Sequence, residues 1–237
     1  MILFFMLLLP ACRVYPKIEA YQQKQLQKAQ LEYKDLDTDE FHIRYLEGGN
    51  PSGEPLVFLH GFGGDAAWAW ARNFPDFSQE YHILAPDLLF FGGSTDKKEL
   101  PSLHRQVEMV IELLKVKGIQ QYNIISLSYG GFVALQLPRV STVESMVLVG
   151  VGGSEQFEFD VQEITARFEV ENLTDIFIPK EKEDTRLLLD ICFYTPTELL
   201  PRGLSDDLFQ TVFGRYPVEQ RQLLEELIEY SSSYIQE

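Results

Sequence analysis

Apolar and polar positions follow two periods along this chain, and each change of period marks an element. Pro55-Leu56-Val57-Phe58-Leu59 and His82-Ile83-Leu84-Ala85-Pro86 are short, nearly unbroken apolar runs, as are Tyr122 to Ile125 and Ser145 to Val151. Runs this short and apolar suit strands buried on both faces of a parallel sheet. Leu31 to Asp37 and Phe41 to Glu47 alternate instead, which predicts an antiparallel hairpin turned through Thr38-Asp39. Between the runs, Val107, Val110, Ile111 and Leu114 recur at helical spacing. They predict a helix from Ser102 to about Lys117, with Pro101 before it and Gly118 to stop it. A second helix starts near Ala66 and carries Trp68 and Trp70; a third runs from Tyr129 to about Leu137. Strand and helix taking turns in this way predict a three-layer α/β fold, with a mostly parallel sheet and right-handed crossovers.

After Gly152-Gly153 the pattern changes. Helical patches (Glu163 to Val170, Arg186 to Ile191, Val218 to Ser231) are broken by Pro179, Pro196, Pro201 and Pro217, and no parallel strand is legible. At the other end, residues 13–30 are rich in Gln and Lys and read as a polar tether. The first eleven residues carry no charge. That run is too short to span a bilayer as a stable helix but suits the core of a signal peptide. The expected division is 1–12 as a signal segment, 13–30 as a tether, 31–153 as an α/β core and 154–237 as a helical unit. No repeat at a solenoid period and no low-complexity tract interrupts it.

The chemistry gathers where strands end. Ser126-Leu127-Ser128-Tyr129-Gly130-Gly131 follows an apolar run and opens a helical one. A serine on such a strand-to-helix turn is forced into a strained position with its hydroxyl exposed, and small neighbours let the backbones approach. Ser126 stands where the usual Gly-x-Ser-x-Gly pattern has glycine, which keeps the residue small but adds a Cβ. Upstream, the run 55–59 ends in His60-Gly61-Phe62-Gly63-Gly64, a loop whose N–H groups can turn towards an oxyanion. The run 82–86 ends in Asp87-Leu88-Leu89-Phe90-Phe91-Gly92-Gly93-Ser94.

These three motifs, in this order and spacing, resemble the α/β-hydrolase superfamily, most strongly over residues 40–153. The resemblance implies Ser128 as nucleophile and the N–H groups of Phe62 and Tyr129 as the oxyanion hole. It implies a helical cap entering between the sixth and seventh core strands, where a lid excludes water. Trp68, Phe90 and Phe91 become candidates for an apolar acyl pocket, with core packing as their competing role. Serine at the elbow argues against the haloalkane dehalogenase and epoxide hydrolase branches, which place aspartate there. Carbon–carbon bond hydrolases, peptidases and acyltransferases share the elbow.

A serine hydroxyl needs a base, and the base an orienting acid. In the superfamily both follow the nucleophile, acid before histidine. His42, His60, His82 and His104 all precede Ser128. His60 belongs to the glycine loop and is expected to shape it; the other three read as structural or solvated. Glu155 is a weak alternative acid. The catalytic histidine and acid are therefore unassigned, and the chain is expected to be a fragment that stops before both, with the last core strands missing.

Composition narrows the rest. A formal charge of −16 argues against nucleic acid, which requires Lys/Arg-rich faces. No metal cluster or cofactor loop is visible, so no cofactor is expected. Leu9-Pro10-Ala11-Cys12 resembles the lipobox of bacterial lipoproteins, although a basic stretch is missing before it. That likeness implies a lipidated Cys12 and an exported or membrane-tethered protein. The leading expectation is a serine hydrolase acting on small-molecule or lipid-like carboxylic esters. The second is a non-catalytic binding or scaffold protein on the same fold. The sequence assigns no oligomeric state.

Overall fold

The computed structural model describes residues 15–151, 157–192 and 204–236. Helix α1 (Tyr15–Ala29) precedes strands β1 (Leu31–Asp37), β2 (Phe41–Gly49) and β3 (Glu54–Leu59). Helices α2 (Ala66–Trp70) and α3 (Phe74–Phe77) lead to β4 (Tyr81–Pro86), β5 (Thr95–Asp96) and α4 (Leu103–Val116). Next come β6 (Gln121–Leu127), α5 (Tyr129–Gln136) and β7 (Thr142–Val149). The remainder is helical: α6 (Phe157–Arg167), α7 (Leu173–Phe177), α8 (Lys182–Cys192), α9 (Leu204–Leu208) and α10 (Pro217–Gln236).

The strands form one sheet in the order β1-β2-β4-β3-β6-β7, with β5 paired to β2. β3, β4, β6 and β7 run parallel, and the β1–β2 hairpin joins β4 antiparallel. Alternation along β3 divides the core between the two faces. Val57 and Leu59 meet α4, α5 and Leu223, Leu224 and Leu227 of α10. Leu56 and Phe58 meet α1, α2 and Phe74 on the opposite face. Phe58 takes edge-on contacts from Trp70, Phe74 and Phe77 at 5.3, 5.2 and 5.6 Å. The expected three-layer α/β fold is the fold observed.

Local signals explain several boundaries. The Thr38 hydroxyl accepts from Phe41 N–H at 3.0 Å and closes the hairpin. Ser102 caps α4 by accepting from Arg105 N–H at 3.2 Å. The Arg105 guanidinium then grips Asp96 with two bonds of 2.6 and 3.0 Å, fixing α4 to β5.

Two expectations are corrected. The Gln/Lys-rich segment is not a free tether: from Tyr15 it is helix α1, whose Leu26 and Ala29 are buried against the sheet face. Its few apolar positions are enough because they share one stripe that the core covers. Strand β7 starts at Thr142, ahead of the apolar run, because Thr142 and Val143 pair with Gln121 and Tyr122 before a register shift that skips Glu144 of β7. Among the described residues β7 pairs only with β6, and its Val147 is 52% exposed and Val149 44%. Residues 1–14, which include Cys12, lie outside the described residues, as does Glu155.

Candidate active site

Ser128 stands at the junction of β6 and α5 with φ 48° and ψ −117°, a left-sided backbone that a serine adopts only under constraint. Its N–H donates to Val149 O at 2.8 Å and its carbonyl accepts from Gly131 N–H at 2.8 Å. Those bonds hold the turn from both sides. The residue is exposed, and its hydroxyl has no hydrogen-bond partner among the described residues.

The neighbouring glycines are required by contact. A β-carbon on Gly130 would lie 2.5 Å from His60 O and 2.7 Å from Leu59 O, so α5 starts directly against the end of β3. One on Gly131 would lie 2.0 Å from a methyl of Val151. Ser126 fits where glycine was expected because it is wholly buried and its hydroxyl reaches Val147 O at 3.4 Å.

Leu59 pairs with Ser126, so the loop after β3 and the elbow after β6 leave the same edge of the sheet side by side. The loop presses on the elbow: a β-carbon on Gly61 would come within 3.4 Å of Ser128 Cβ. Phe62 N–H has no acceptor among the described residues, as an oxyanion donor requires. Tyr129 is the first residue of α5, so its N–H lies at the positive end of that helix.

His60 holds this loop and is not placed to transfer protons. It is 1% exposed, its Nδ1–H donates to Gly61 O at 2.7 Å, and its Nε2 accepts from Leu88 N–H at 2.8 Å. Burial pushes its pKa below the ordinary histidine value. Asp87, also 1% exposed, accepts from Ala66 N–H and Gly93 N–H, each at 3.0 Å. Burial, with the Asp65 charge nearby, pushes its pKa up to about 7. The remaining histidines face other partners. His42 pairs with Asp37 at 3.1 Å, His82 with Glu47 at 3.1 Å and His104 with Glu108 at 3.3 Å.

The aromatic candidates separate. Phe62 packs edge-on against Phe91 at 5.0 Å, Tyr129 at 5.7 Å and Phe177 of α7 at 6.2 Å. Phe91 is 1% exposed, while Phe90 turns to Tyr216 at 6.1 Å and gives its carbonyl to Gln220 at 2.8 Å. Trp68 belongs to another cluster, with Leu189, Leu204 and Leu208 beside a cavity of about 280 Å³. The structure thus brings Ser128, Phe62, Tyr129 and Phe91 together, and Phe90 and Trp68 elsewhere. Phe177, and Phe213, whose ring would lie 2.8 Å from a β-carbon on Gly63, were missed. Both come from the C-terminal helices, more than a hundred positions away, and no spacing rule reaches that far.

Comparison with known proteins gives the same outline. Lipase 1 of Psychrobacter immobilis is 28% identical over 90% of this chain and 64% of its own length. Lipase 3 of Moraxella sp. (strain TA144) matches to the same extent. The chain thus spans under two thirds of the length of these lipases. Among solved structures, a membrane phospholipase A superposes with a TM-score of 0.72 at 26% identity, over 93% of this chain and 69% of that one. A lipase from Acinetobacter baumannii AYE, 20% identical, shares the fold with a TM-score of 0.74 over 92% and 72%. A family model described as the alpha/beta hydrolase fold matches residues 54–237, the stretch that holds the glycine loop, the strained serine and the C-terminal helices. By that match, and by the sheet that sets loop and serine side by side, the chain belongs to the alpha/beta hydrolase fold family.

Proposed function

We propose that this chain carries the nucleophile and oxyanion hole of a serine hydrolase acting on carboxylic esters, lipid-like esters foremost. One observation carries the reading: the exposed, positively angled Ser128 beside a glycine loop with an N–H to spare. Ser128 Oγ bonds to the ester carbonyl carbon as its proton passes to a base that this reading leaves unassigned. The charge that develops on the carbonyl oxygen is met by the N–H groups of Phe62 and Tyr129, and the C–O bond then breaks to release the alcohol with that proton. Donors fixed in advance are worth about 3–4 kcal/mol each in such reactions. The Phe62, Phe91 and Phe177 rings supply an apolar flank for an acyl chain. The C-terminal helices, reaching the loop through Phe177 and Phe213, act as a cap that limits water. None of the four histidines is assigned as base; His60 has both ring nitrogens engaged. A fluorophosphonate probe tests the reading. Wild type should be labelled and Ser128→Ala should not; equal labelling of both would sink it.

The relatives support the ester class, since both matched lipases span 90% of this chain. The proposed setting is export with attachment to a membrane. Support comes from the uncharged run Met1 to Ala11 and from Leu9-Pro10-Ala11-Cys12. No helix among the described residues is long and apolar enough to cross a membrane. In this reading a lipidated Cys12 makes the attachment. Expressed in a bacterium, the protein should enter the detergent phase and Cys12→Ser should leave it.

A further inference from the structure

A polar cavity of about 310 Å³ opens between α1, strands β1 and β2, the loops after β3 and β4, and the segment before α10. Two arginines from opposite ends of the chain line it, Arg44 on β2 and Arg215 ahead of α10. Arg44 is half-buried, with its guanidinium 4.3 Å from the centre of the Tyr33 ring. None of its guanidinium N–H groups has a hydrogen-bond or ion-pair partner among the described residues. Arg215 gives one N–H to Gly92 O at 2.6 Å and has no carboxylate partner among them. A planar guanidinium that is held in place but lacks a partner offers a fork shaped for oxyanions.

Three carboxylates share the lining, and two of them accept backbone N–H groups. Asp65 accepts from Trp68 N–H at 2.8 Å, and Asp87 from Ala66 and Gly93 N–H. Glu19 sits on an exposed turn of α1. Arg44 and Arg215 are the cations of this lining, and neither guanidinium has a carboxylate within ion-pair distance among the described residues. Two forks approaching from different elements suit a tetrahedral group with oxygens on several sides better than a planar carboxylate. The space exceeds what a phosphate alone needs, since a water in liquid takes about 30 Å³.

We infer that this cavity binds a phosphate group between Arg44 and Arg215, either free or carried by a small ester or lipid headgroup. Binding there joins core strand, α1 and C-terminal helices through one anion. It uses no residue assigned to ester attack.

Titration calorimetry on the full chain tests this, with inorganic phosphate, glycerol 3-phosphate and phosphatidylglycerol vesicles as probes at constant ionic strength. Arg44→Gln and Arg215→Gln should each weaken phosphate binding about tenfold or more. Lys24→Gln, the same charge change on exposed α1, should leave it unaltered, and thermal melts check that each variant folds. Ser128→Ala should bind as wild type does, which separates this outcome from that of fluorophosphonate labelling. Tighter binding of glycerol 3-phosphate or of vesicles than of inorganic phosphate, if lost in both arginine variants, supports the site and names the source. No binding above chloride, or an equal loss in Lys24→Gln, overturns it.

Discussion

Leu88 N–H donates to His60 Nε2 at 2.8 Å, and that bond ties the loop after β4 to the glycine loop after β3. The opposite nitrogen of the same ring fixes Gly61 O at 2.7 Å, so one buried imidazole sets where Phe62 N–H points. His60→Ala leaves both backbone groups without their partner. The expected cost is about 2–6 kcal/mol, since each stranded group costs about 1–3. Fluorophosphonate labelling should slow although His60 does not touch the probe. The folded pKa is lowered from 6.5, so the unfolded chain binds more protons below that value. The share of stability due to His60 should fall as pH drops below 6.5, so the stability difference between wild type and His60→Ala should narrow towards acid pH, as urea melts at stepped pH will read.

Asp87 has the opposite sign. Its folded pKa is raised from 3.8 to about 7, so folding favours the protonated form. Stability from this group is complete below 3.8 and declines as pH rises to about 7. Asp87→Asn should thus cost less at pH 8 than at pH 5. The gap should be at least about 1.4 kcal/mol, the worth of one pKa unit. An equal cost at both pH values would count against a raised pKa for this buried carboxyl.

The elbow stores strain that a substitution can release. Ser128→Gly should be more stable than Ser128→Ala by about 1 kcal/mol, because only glycine takes a φ of 48° freely. Gly130→Ala should cost about 3 kcal/mol or more, since its methyl meets immovable backbone at 2.5 Å. Gly118→Ala has nothing within 4 Å and should cost only about 1–2 kcal/mol for its φ of +70°. Thermal or urea melts of the four variants decide the order.

Strand β7 presents Val147, Leu148 and Val149 at 52, 40 and 44% exposure, with its outer backbone unpaired among the described residues. Such an edge recruits other edges. The 237-residue chain should associate as its concentration rises, and Leu148→Lys should delay the onset. Light scattering that is identical for the two proteins would remove β7 as the cause.

Much of this fold can be read from the chain because burial leaves a period. β3, β4, β6 and α4 begin and end within about two residues of where their apolar runs place them. The strained turn at Ser128 was legible for the same reason, since Gly130 and Gly131 mark a contact that nothing larger survives. Helix α1 was hidden: only Leu26 and Ala29 of its fifteen residues are buried, too few to overcome a Gln/Lys composition. Helix α3 has four residues, and β5 two, below any usable period. The aromatic flank from Phe177 is set by packing between distant segments, which leaves no local trace.

Helix α1 also has a mechanical meaning. Tyr15 N–H is held by Asp207 of α9 at 3.0 Å, while Leu26 and Ala29 are clamped to the sheet. A rod of fifteen residues, about 22 Å long, is thereby pinned at both ends, on the C-terminal helices at its start and on the core at its finish. Were residues 1–14 fastened to a surface, the slack of a flexible leash would be absent from Tyr15 onwards. The domain would keep a fixed heading, with α9 turned towards the point of attachment, and any tug on the chain would reach α9 before it reached the sheet.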